Sequence, residues 1–220
     1  MTDRVISLAG QLTFDVPAAV DSIHRYKFQE TVRIYDLGAE AGASSKTAVT
    51  LADIGRLVVI NAELQAGDVV RLLSASADLG RLALPEDADL ANADPAETGG
   101  LYDRMSSLYE VFTGLFNIKA TKASKLLHLK WPNAFPIMDK YARDRYEQAG
   151  QAALAEYPNR QQAGVTCLRW AAVRKDLIAS LPALAHVRAA LTVRDEWGAT
   201  LATLSDLRLI DMLIWSAKDQ

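Results

Sequence analysis

From Leu101 to Trp215 the apolar residues recur at three- and four-residue spacing, with interruptions only where proline, glycine or a capping side chain would stop a helix. Leu101, Met105, Leu108, Val111, Phe112 and Leu115 form one such stripe. Leu207, Ile210, Met212, Leu213 and Ile214 form another behind the cap Ser205-Asp206. A pattern of this period cannot be laid out as a half-buried sheet, whose faces alternate every residue. The chain is therefore expected to be all-α, with helices over 101–116, 121–130, 139–150, 165–180, 182–197 and 205–215. Between Lys130 and Asp139 the run Trp131-Pro132-Asn133-Ala134-Phe135-Pro136 excludes helix, because each proline disfavours it in the residue before.

The first half carries the same signals more sparsely. Asp15-Val16-Pro17 reads as an N-cap followed by an early-turn proline, and a helix to about Phe28 should follow. Thr31 to Tyr35 is β-branched and aromatic, which predicts a short strand or extended arm. Residues 38–45 form a small-residue loop. Thr50-Leu51-Ala52-Asp53 has the form of a capping box, and Gly67-Asp68 opens another helix. Residues 78–100 hold Pro85, Pro95, Gly99 and Gly100 and read as a long connection. The 220 residues then make a single globular domain, 1–220, with lobes 1–85 and 101–220 joined by that loop.

Composition narrows the function classes. The chain is half apolar, has no apolar run of about eighteen residues, and lacks the residue order of a secretory signal at its start. This predicts a cytoplasmic protein with no membrane partner. The single cysteine, Cys167, excludes a disulfide framework and reads as a small buried thiol. P-loop, dinucleotide, serine-elbow and metalloprotease signatures are absent, and His24, His128 and His186 are scattered, so no metal or other cofactor is expected. The net charge is −3, yet residues 119–146 hold seven Lys and Arg against two Asp, a net of +5 that leaves −8 for the rest. That is either a focused anion site or a solvated helix face.

Within this stretch, Lys119, Lys122 and Lys125 recur every three residues at the start of a helix. The free N–H groups of that end would make them a phosphate cradle. Asp139 follows two apolar residues at an expected N-cap. As a cap it contributes about 1 kcal/mol. As an ionised carboxylate in an apolar setting it could also stabilise an oxocarbenium-like sugar.

The segment Asn117-Ile118-Lys119-Ala120-Thr121-Lys122-Ala123, followed by Phe135-Pro136-Ile137-Met138-Asp139, resembles the signature of the helix–hairpin–helix DNA glycosylase superfamily. Ala123-Ser124-Lys125-Leu126-Leu127 through Asp139, Asp53 with its helix, and the tail Leu207 to Trp215 also resemble an uncharacterised bacterial family, across most of the chain. The first resemblance implies a two-lobed helical fold in which Ile118 and Ala123 anchor the hairpin. Asn117, Lys119, Thr121, Lys122, Lys125 and Lys130 would contact double-stranded DNA, and Asp139, with Lys122, would serve catalysis. Asn117 and Lys119 stand where the superfamily has glycines. The lysine that forms a Schiff base in bifunctional members falls on Thr121, beside Lys122. This implies a monofunctional enzyme, though a shift of one residue would reverse that. Such an enzyme flips a damaged or modified base, including hypermodified phage bases in a defence role, into a pocket. Tyr26, Phe28, Tyr35, Tyr102 and Trp131 are the candidate pocket aromatics, while Trp170, Trp197 and Trp215 are assigned to packing. The protein would act as a monomer. The competing readings are a non-catalytic nucleic-acid-binding module, in which Asp139 is only a cap, and a helical interaction protein.

Overall fold

The structure is a computed structural model that describes residues 5–38 and 45–219. Its elements in chain order are β1 (Val5–Leu8), β2 (Leu12–Asp15), α1 (Val16–His24), α2 (Gln29–Thr31), α3 (Leu51–Val59), α4 (Ala66–Ser74), α5 (Ser76–Leu82), α6 (Leu101–Gly114), α7 (Ala120–Lys130), α8 (Lys140–Arg145), α9 (Glu147–Glu156), α10 (Gly164–Thr192), α11 (Glu196–Leu201) and α12 (Asp206–Ser216). The protein is mostly helical, with a small two-stranded sheet. The chain folds as two compact units, one made of Met1–Lys27 with Lys140–Gln220 and the other of Phe28–Asp139. Residues 78–100 lie inside the second unit; the divisions fall at 27/28 and 139/140.

In the first unit, β1 and β2 pair antiparallel with Leu8 opposite Leu12. In the three-residue connection 9–11, Ala9 and Gly10 both have positive φ and Gln11 N–H donates to Leu8 O, closing a tight turn between the strands. The alternation of Ile6, Leu8 and Phe14 puts these three inward. Asp15 then caps α1 by accepting from Ala18 N at 2.8 Å, with Pro17 in the first turn, as expected; α1 ends at His24 rather than near Phe28.

The long helix α10 crosses this unit and touches β1, α1, α9, α11 and α12. The sequence predicts two helices here, divided before Pro182, but α10 runs through Pro182 without ending. A mid-helix proline costs one backbone bond and a clash, about 3 kcal/mol. Apolar burial on both sides offsets it: Leu168, Trp170 and Leu177 before the proline, Ala183, Leu184, Val187 and Leu191 after it. Cys167 is buried on the same helix, as expected. The helix expected over 139–150 is two, α8 and α9, divided at Tyr146.

In the second unit, Thr50 and Asp53 form the expected capping box of α3, and Gln65 and Asp68 form another for α4. The strand or arm expected over Thr31–Tyr35 is instead helical: α2 runs into a π-helical turn over Val32–Asp36. Residues 32 and 35 share a helical face, and both Val32 and Tyr35 are fully buried, so tertiary burial overrides the local β preference. The expected small-residue loop lies outside the described residues over 39–44. Helix α5 shortens the long connection to 83–100. There Leu90–Asn92 makes a short 3-10 turn, and Leu90 N–H reaches Asn133 O.

Candidate functional site

The helix–turn–helix expected around residue 117 is present as α6, the turn 115–119, and α7. Helix α6 ends at Gly114, Ile118 N–H donates to Leu115 O, and Asn117 has φ 65. Asparagine tolerates this left-handed backbone better than most other non-glycine residues. Lys119 does not need that freedom. Its backbone is extended (φ −98, ψ 177), and it precedes α7 without capping it by side chain. Ile118 and Ala123 are fully buried.

The lysines behave differently from the expected cradle. Lys119 is exposed. Lys122 turns inward and donates from Nζ to Asp68 Oδ2 at 2.7 Å and to Asn117 O at 3.2 Å. Lys125 is buried and donates to Ile60 O at 2.6 Å and Asn61 O at 3.1 Å, carbonyls at the end of α3, where a cation also meets the negative end of the helix dipole. Lys130 is completely enclosed. Its three N–H donors go to Asp53 Oδ2 (2.5 Å), Ser45 O (2.6 Å) and Ala48 O (2.7 Å). Burial lowers the Lys130 ammonium's pKa, opposed by its bond to Asp53. Lys125 and Lys130 thus correct the expectation of phosphate contacts: with Lys122, they meet carboxylates or helix-end carbonyls inside the second unit.

Asp68 is the counterpart of Lys122. It is 1% exposed and receives Lys122, the Asn117 amide at 2.9 and 3.1 Å, and Gln65 N–H at 3.1 Å, with Arg71 3.6 Å away. Burial would raise its pKa, but the bonds from Lys122, Gln65 and Asn117 outweigh this and hold it at about 2. The carboxylate therefore braces the turn from beneath, fixing Asn117 through both its side chain and, via Lys122, its carbonyl.

Asp139 is the last residue of the second unit, is 8% exposed, and directly precedes α8. The apolar run before it is held on α7 by Ser124, whose Oγ accepts from Met138 N–H at 3.0 Å, and by His128. His128 Nδ1 lies 2.7 Å from Phe135 O, which assigns the proton to Nδ1 because a carbonyl only accepts.

Thr121 lies half-buried in the first turn of α7. Of the pocket aromatics, Tyr102, Trp131 and Tyr35 are core residues of the second unit and Tyr26 is buried in the first. Tyr35 donates its hydroxyl to Lys125 O at 2.6 Å and stacks on His128. Burial removes these four from the role of open stacking surfaces; Phe28 is exposed. Trp170 is buried as expected, and Trp215 packs at 5.7 Å on Tyr141. No group of metal-ligating side chains occurs among the described residues, and no helix among them is long and apolar enough to cross a membrane.

Sequence reasoning missed Phe116, 76% exposed at the turn's tip, and Asp68 beneath it. The signal for Asp68 was its place as the third residue of α4, closing a capping box, the position Asp53 also holds in α3.

A helical protein whose turn between two helices is braced by a buried carboxylate is the class that these observations define. The chain belongs to a family of unknown function, DUF6308, which matches residues 19–218. No curated protein and no solved structure matches it.

Proposed function

We propose that the chain is a monofunctional DNA N-glycosylase of the helix–hairpin–helix type, with Asp139 as the carboxylate that stabilises the developing oxocarbenium-like sugar. The observation that supports this reading is the α6–α7 turn. Asn117 takes the left-handed backbone that the resemblance assigns to glycine, Ile118 and Ala123 are buried as anchors, and a buried aspartate follows on the expected side of a proline-bounded apolar run. In this reading the exposed Lys119 and the first N–H groups of α7 meet a DNA phosphate. In this reading Lys122 holds the turn through its bonds to Asp68 and to Asn117 O rather than forming a Schiff base, so lyase activity is not expected.

The test is incubation with duplexes carrying oxidised, alkylated, deaminated or phage-type bases, followed by alkaline cleavage of abasic sites. Base release is expected from the native chain and should fall by roughly a hundredfold or more in Asp139→Asn, the loss expected when an electrostatic stabiliser is removed. DNA binding with no base release from any substrate would leave a binding module in its place. Release unchanged by Asp139→Asn would remove Asp139 from the chemistry.

A further inference from the structure

The tip of the α6–α7 turn presents a feature that the glycosylase reading does not use. Phe116 directs a phenyl ring to solvent, 76% exposed, although an aromatic of this size normally buries most of its area. The guanidinium carbon of Arg71, from α4, lies 4.9 Å from the ring centroid. Arg71 is itself placed by Asp68 at 3.6 Å. The next residue, Asn117, is fixed in a left-handed conformation by the same carboxylate. The ring is therefore carried on a rigid base, and little ordering is required when a partner meets it.

The charge around it selects the partner. Arg71 and Lys119 are at least partly exposed and Lys122 lies just beneath, whereas Asp68 is enclosed. The tip is thus locally positive. The unit as a whole is acidic, with ten Lys and Arg against fifteen Asp and Glu over residues 28–139. The positive tip, rather than the unit's acidic remainder, is where DNA phosphates can approach. A short stretch with a base out of the stack needs only an aromatic face and one or two cations.

We propose that Phe116 is a nucleobase-stacking residue that takes an unstacked base of DNA against its ring, while Arg71 and Lys119 meet the flanking phosphates. This rests on the reading that the α6–α7 turn holds DNA, and adds to it the residue that engages a base.

The experiment uses the full chain and oligonucleotides carrying 2-aminopurine, either single-stranded or opposite a mismatch in a duplex. Affinity is followed by anisotropy and base stacking by 2-aminopurine fluorescence. Phe116→Ala and Phe116→Leu should each weaken binding by roughly five- to a hundredfold, the range a lost stacking contact gives. Both should abolish the fluorescence change, and Phe116→Trp should retain both signals. Lys119→Ala should weaken binding and lower its salt dependence. Equal affinity and an equal fluorescence change for Phe116→Ala and the native chain would overturn the proposal. The glycosylase reading would then still stand if native chain releases bases and Asp139→Asn does not. Absence of DNA binding by the native chain at low salt would remove both. Because Phe116 is exposed, unchanged thermal melting of each variant is expected.

Discussion

Asp53 and Asp68 are built alike and do different work. Each is the third residue of a helix, closes a capping box there, and receives a lysine from α7. At Asp53 both partners are completely buried, and one oxygen serves Lys130, Thr50 N–H and the Thr50 hydroxyl. At Asp68 the lysine keeps 15% of its side chain exposed, and the remaining bonds include those to the turn that carries Asn117. One arrangement locks helix starts inside a core. The other uses the same chemistry near the surface to hold a displayed turn. Burial, more than residue type, separates the two roles.

The largest expected break in this pairing is Lys130→Met. It leaves the Asp53 carboxylate enclosed without its cation, and should lower unfolding free energy by about 3–5 kcal/mol in urea denaturation. A smaller loss for Lys130→Met with Asp53→Asn than for Lys130→Met alone would show that the stranded charge dominates. Lys122→Met should cost less, about 1–2 kcal/mol, since Asp68 keeps Asn117 and Gln65. A cost equal to that of Lys130→Met would erase the distinction. Asn117→Ala should cost about 1–2 kcal/mol by adding left-handed strain and removing the Asp68 contacts, and Asn117→Gly should recover part of it.

The subtlest effect is in pH dependence. Asp68 titrates below its unfolded value, so the stability it contributes is full above about pH 4 and is lost as pH falls through about 2. Asp176 has the opposite sign. Burial raises its pKa against the bonds from Ala9 N–H and the Tyr146 hydroxyl, so its contribution is greatest at low pH and is lost as pH rises through its folded value. Asp68→Asn should flatten the acid limb of a stability–pH curve, and Asp176→Asn should slightly stabilise the protein at neutral pH. Denaturation midpoints from about pH 2 to about pH 8 check both.

The caps were the most legible part of the sequence, because a capping box is local: Asp15, Thr50 with Asp53, and Ser205 all act where the spacing put them. Elements decided by distant burial were not. The π-helical turn at Val32–Asp36 depends on the burial of Tyr35, whose hydroxyl reaches Lys125, and α10 survives Pro182 because of what packs on both of its halves. The hairpin β1–β2 lay in the alternation of Ile6, Leu8, Leu12 and Phe14, a short signal beside the stronger helical one. At the candidate site, sequence located the turn and the dense run of lysines. It could not show that Lys122 and Lys130 find their carboxylates 54 and 77 positions away, which turns an apparent anion cradle into internal neutralisation.

Placing a helix cap and an ion pair on the same oxygen of Asp53 also constrains inheritance. A change at 130 is felt at the start of α3, and a change at 50 is felt by the lysine. Positions 50, 53 and 130 should therefore vary together among relatives: where the lysine gives way to an apolar side chain, 53 should lose its charge and the start of α3 should gain a different cap.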